Sequence, residues 1–101
     1  MPVEDKTRIS ETEIAQVLEK LEGWEYDAGA KLLRRVWRFE RFVPTMALVR
    51  KLTEVMDANN HHSDIALDSR RKTLTVEVTT HSQNAVTRAD LDFAAAVNAA
   101  E

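Results

Sequence analysis

The spacing of apolar residues divides the chain into short segments of two periods. Ile14, Val17, Leu18 and Leu21 recur at i, i+3, i+4 and i+7, the stripe of an amphipathic helix. Ser10 and Glu13 form an S-x-x-E capping box ahead of it, and Ile9 and Ile14 stand where a hydrophobic staple needs them. Gly23 offers a C-terminal stop. Residues 24–26 read as a short strand with 27–29 as its turn, and residues 32–42 as a second strand. On the second strand Leu33, Arg35, Trp37, Phe39 and Arg41 share one parity, while Leu32, Arg34, Val36, Arg38 and Glu40 share the other. Neither set is wholly apolar, so one side is expected to be solvated or used in assembly.

The helical period returns in the second half. Pro44 is suited to a helix start, and Leu48, Val49, Leu52, Val55 and Met56 form one face of a helix that Asn59-Asn60 ends. Residues 65–67 predict a third strand, 69–72 a turn, and 73–80 a fourth strand in which Leu74, Val76 and Val78 alternate with Thr73, Thr75, Glu77 and Thr79. Thr87-x-x-Asp90 resembles another cap, opening a last helix through Leu91, Phe93, Ala94 and Val97. The order αββαββα predicts an α+β fold, a four-stranded antiparallel sheet with helices packed on one face. Residues 1–8 are expected to form a flexible N-terminal arm and residues 9–101 a single domain.

Composition narrows the class. With 101 residues, 44% hydrophobic and 31% charged, the chain has a globular balance and room for one core. A net charge of −3 argues against nucleic acid as a partner, since phosphate binding needs a positive field. The basic residues Arg34, Arg35, Arg38 and Arg41 are spread along a strand. Having no cysteine, the chain can form neither a disulfide scaffold nor a thiolate metal site. Its start is polar, and no segment approaches the ~18 apolar residues of a membrane span. A soluble, cytoplasmic protein is expected.

The chemistry lies in three histidines. His61 and His62 follow the second helix, and His81 ends the fourth strand on its polar parity. Ends of neighbouring elements on one side of a sheet can bring such residues together, and imidazole exchanges protons near neutrality. Asp57 lies one helical turn before His61 and is expected to orient or charge-stabilise it. Spacing alone would permit a three-histidine zinc site, but no further carboxylate or histidine has ligand spacing, and no metal is expected.

The ordered set Asp57-x-x-x-His61-His62-Ser63, then Thr79-Thr80-His81, then Arg88-Ala89-Asp90 resembles the signature of the pterin-4a-carbinolamine dehydratases. That resemblance begins at Leu21-Glu22-Gly23-Trp24 and covers most of the chain. It implies dehydration of a 4a-hydroxytetrahydropterin to the quinonoid dihydropterin, with pterin as substrate and no cofactor. By the same resemblance His61, His62, His81 and Asp57 would be catalytic. His61, His62, Ser63, Thr79, Thr80, His81, Ser82 and Asp90 would line the substrate site, and a homodimer or homotetramer is implied.

Two features depart from the signature. The interval from Ser63 to His81 is about two residues longer than usual, and Arg71 stands where the family keeps an aromatic. They point to the alternative, a non-catalytic dehydratase-like interaction or assembly protein.

Overall fold

The computed structural model describes residues 7–59, 61 and 63–100, with the backbone alone at Phe42 and His81. Its elements run α1 (Glu11–Leu18), β1 (Trp24–Asp27), β2 (Leu32–Arg38), α2 (Phe42–Asn59), β3 (Asp64–Asp68), β4 (Thr73–Val78) and α3 (Arg88–Ala100), with a 3-10 turn at His81–Gln83. The predicted αββαββα order is the observed one. The four strands form one antiparallel sheet in the order β1-β2-β4-β3.

Strand alternation explains the layering. Leu74, Val76 and Val78 of β4 are buried, and across the ladder they face Trp37, Arg35 and Leu33 of β2. Ile14 of α1, Leu52, Val55 and Met56 of α2, and Leu91, Phe93, Ala94 and Val97 of α3 join these residues in one core cluster. The opposite face carries Arg34, which bonds Glu77 at 2.7 Å and Asp27 at 3.2 Å. That charged face is the side of β2 expected to be solvated or used in assembly.

Arg35 is the polar exception on the covered face. Its guanidinium lies 4.3 Å from the Trp37 ring and bonds the Asn98 side chain of α3. Asn98 Oδ1 also accepts from Trp24 Nε1 at 2.9 Å, and its amide donates to the Glu22 carbonyl at 3.2 Å. These bonds tie the last helix to the first two strands, satisfying groups that burial would otherwise leave unpaired.

The ends of the elements differ from the sequence expectations for local reasons. Ser10 caps α1, accepting from Glu13 N–H at 3.2 Å, but the helix ends at Leu18 rather than Leu21. Gly23 takes φ +87°, the left-handed conformation that turns the chain into β1. β2 stops at Arg38: Phe39 N–H still reaches the Lys72 carbonyl in ladder register, but Lys72 lies in the turn before β4, and the chain enters α2 at Phe42. Pro44 therefore sits inside the first turn of α2, where a missing N–H costs nothing. β4 stops at Val78, two residues short of the expected end.

The arm assigned to residues 1–8 falls mostly on residues 1–6, outside the described residues. Thr7 and Arg8 are held: Arg8 pairs antiparallel with Thr87, and Arg88 N–H donates to the Thr7 carbonyl at 2.9 Å. Among the described residues no helix is long and apolar enough to cross a membrane.

Candidate functional site

Antiparallel pairing of β3 with β4 decides where the site falls. Asp64 at the start of β3 faces Glu77 near the end of β4. The segment entering β3, with His61 and Ser63, therefore lies at the same end of the sheet as the Thr79–His81 segment leaving β4. The start of α3 lies at this end too: Thr80 bridges Ala85, and the Thr80 hydroxyl lies 2.7 Å from the Thr87 hydroxyl.

His61 is buried, 6% exposed, just beyond α2. Its backbone N–H returns to the Met56 carbonyl at 3.1 Å, the six-to-one bond of a Schellman-type helix end. The chain has left the helical path there, so the i, i+4 relation between Asp57 and His61 no longer holds. Asp57 is exposed on α2. The carboxylate at the imidazole is Asp90, wholly buried, whose Oδ1 lies 2.6 Å from His61 Nε2. A carboxylate only accepts, so Nε2 carries the proton and donates. The edge of the Phe93 ring also packs on His61, with centroids 6.0 Å apart.

Asp90 is itself fixed from the other side. Its Oδ2 accepts from Thr80 Oγ1 at 2.9 Å and from Thr87 N–H at 2.8 Å. Thr87 is the residue before α3 and Asp90 the third within it, so the carboxylate reaches back as in a capping box. One carboxylate thus satisfies an orphan helix donor, a threonine hydroxyl and the imidazole.

The remaining expected site residues fall as follows. Thr80 is buried and its hydroxyl is committed to Asp90 and Thr87. The Thr79 hydroxyl donates to the Lys31 carbonyl at 2.8 Å. Ser82 is exposed in the 3-10 turn that His81 opens. Ser63 Oγ is buried with no hydrogen-bond partner among the described residues. His62 lies outside the described residues, as does the His81 side chain. The sequence marked Thr87 only as a cap and Phe93 only as core, since neither carries a signal linking it to a histidine far away in the chain.

One end of this α+β sheet thus carries a buried histidine–carboxylate pair set beside the Thr80 and Thr87 hydroxyls. Residues 7–100 match the family described as pterin 4 alpha carbinolamine dehydratase. The chain belongs to that family. Relatives named "Putative pterin-4-alpha-carbinolamine dehydratase" occur in Sulfolobus acidocaldarius, 32% identical over 90% of this chain and 96% of the relative, and in Mycobacterium avium, 36% identical over 89% and 92%. A crystal structure described as a transcriptional coactivator/pterin dehydratase from Brucella melitensis superposes with a TM-score of 0.82 at 26% identity, covering 93% of this chain and 98% of that one. A pterin dehydratase-like protein described as a RuBisCO assembly factor in the alpha-carboxysome aligns with a TM-score of 0.63 at 18% identity, covering 78% and 89%, and shares the fold.

Proposed function

We propose that this chain dehydrates 4a-hydroxytetrahydropterin to quinonoid dihydropterin by histidine acid–base catalysis, in pterin recycling. The hydroxyl leaves C4a as water and a proton leaves N5. An acid must protonate the departing oxygen while a base relieves N5, and His61 and His81 share these tasks. His62 binds and polarises the pterin. Ser63, Thr79, Thr80 and Ser82 are the further residues that would line the pterin. A general acid or base of this kind typically contributes about 10²–10⁴ in rate.

The observation that carries the reading is the buried His61–Asp90 pair. A ring held at Nε2 by a fixed carboxylate has one orientation and one defined tautomer, which is what a proton-transfer group requires. Asp90 serves by orienting His61, the task first expected of Asp57.

A second reading, a non-catalytic interaction or assembly protein, is favoured by Arg71. Its side chain is 84% exposed in the β3–β4 turn, and by the resemblance it stands where an aromatic is expected. Ultraviolet absorbance of 4a-hydroxytetrahydropterin dehydration separates the two. The purified protein should exceed the spontaneous rate, and His61→Ala and His81→Ala should each slow it at least tenfold, at the low end of the acid–base range. A wild-type rate equal to the spontaneous one would favour the second reading.

A further inference from the structure

The segment that leads into α1 makes bonds that the folding of α1 does not require. Arg8 pairs antiparallel with Thr87. The Thr7 carbonyl accepts from Arg88 N–H at 2.9 Å, satisfying a donor of the first turn of α3. The Arg8 guanidinium crosses to the Gln83 carbonyl at 2.9 Å, and the neighbouring Ile9 is packed against the core. A residue exposed to solvent therefore holds two points of one loop.

That loop runs from the end of β4 to the start of α3, with His81 opening its 3-10 turn and Thr87 closing it. Inside, it is held by Gln83 N–H to the Thr80 carbonyl at 3.0 Å and Thr80 N–H to the Ala85 carbonyl at 3.2 Å. Asn84 takes φ +49°, a conformation that a free loop would readily leave. Beyond Thr87 the connections continue to Asp90 Oδ2 and, through Oδ1, to His61.

We propose that Arg8 is a positioning residue of the site: its guanidinium on Gln83 and its backbone on Thr87 hold the loop so that the backbone at His81 keeps a fixed relation to the Asp90–His61 pair. The catalytic part rests on the dehydratase reading; the holding of the loop does not. Arg8 touches no substrate in this scheme. Removing its side chain leaves the backbone bridge in place and frees the middle of the loop, so turnover should suffer more than substrate binding or global stability.

The test compares Arg8→Ala and Arg8→Lys with the wild type in two assays. Amide hydrogen exchange at Thr80 and Gln83 should quicken about five- to tenfold in Arg8→Ala, the factor that one hydrogen bond represents. In dehydration kinetics kcat should fall about three- to tenfold with KM within about twofold, since one bond's worth of order is lost at the loop alone. Arg8→Lys, which keeps a donor, should recover part of both. Unchanged exchange would overturn the proposal, and so would faster exchange with unchanged kcat. If the wild type itself fails to exceed the spontaneous rate, the dehydratase reading falls, and exchange alone decides whether Arg8 holds the loop.

Discussion

Replacing Asp90 tests the centre of the site most directly. The side chain is 0% exposed and serves three donors: His61 Nε2, the Thr80 hydroxyl and Thr87 N–H. In Asp90→Ala the Thr80 hydroxyl keeps a partner in Thr87 Oγ1 at 2.7 Å, leaving the imidazole N–H and the Thr87 amide without acceptors. Each orphaned donor costs about 1–3 kcal/mol, and water entering the vacated space recovers some of it, so the net loss should be about 3–4 kcal/mol. At about 4–8 °C per kcal/mol for a domain of this size, Tm should fall on the order of 15–30 °C. A domain of about 100 residues is stable by ~5–15 kcal/mol, so the variant should still fold at low temperature.

Asp90→Asn separates geometry from charge. Its amide nitrogen cannot occupy the Oδ2 place, because two donors point there. It must replace Oδ1 and donate to His61, which then accepts at Nε2 and carries its proton on Nδ1. The ring is retained and the tautomer inverted. Urea unfolding should show a loss of about 1–2 kcal/mol, less than for alanine. Ring nitrogen chemical shifts in histidine-labelled protein should report Nε2–H in the wild type and Nδ1–H in the variant. Dehydratase turnover should fall at least tenfold in both variants. An Asp90→Ala cost below about 1 kcal/mol, or the same His61 tautomer in Asp90→Asn as in the wild type, would refute the reasoning.

Other positions probe the scaffold. Asn98→Ala removes the shared acceptor of Trp24 and Arg35 and should cost about 1–2 kcal/mol in urea unfolding, with turnover unchanged. Gly23→Ala places a methyl 2.7 Å from Arg35 Nε at φ +87°, so about 1–2 kcal/mol should be lost; a neutral result would mean that the turn relaxes freely. The Ala30 amide, followed by Arg34, holds the Asp27 carboxyl below its usual range. Its folded value lies under its unfolded one, so its contribution is present above the unfolded value of ~3.9 and fades as pH falls through the folded one. Asp27→Asn should therefore lower Tm at pH 7, with the difference from wild type shrinking below about pH 4.

Where one period dominates a segment, sequence alone placed the element. Alternation through Leu74, Val76 and Val78 located β4, and the Ser10 box located the start of α1. Element ends were less legible because distant bonds decide them. Phe39 still bonds Lys72 in ladder register, so β2 ends where its partner turns, and past β4 the Thr79 hydroxyl donates to the Lys31 carbonyl, 48 residues away in the chain. The Thr87-x-x-Asp90 spacing read correctly as a cap, yet no local rule could show that the same carboxylate reaches His61 across 29 positions. Helical spacing favoured Asp57 instead, a spacing that loses its meaning where the helix itself ends, at the bond from His61 to Met56.

The double duty of Asp90 constrains how the site can vary. As the third residue of α3 it anchors the helix start that brings Phe93 against the imidazole, and as the partner of Nε2 it sets the proton on that imidazole. Stability and ring chemistry therefore move together at this position, and neither can be tuned there alone. Arg8 stands outside that coupling, because its side chain acts on the loop carbonyl of Gln83 and not on the carboxylate. Substitutions at Arg8 should shift turnover while Tm falls by only about 4–8 °C, the worth of one hydrogen bond, and substitution of Asp90 by alanine should shift both by more. A set of variants at the two positions falling on a single line of turnover against Tm would mean that the loop and the pair are one cooperative unit rather than two.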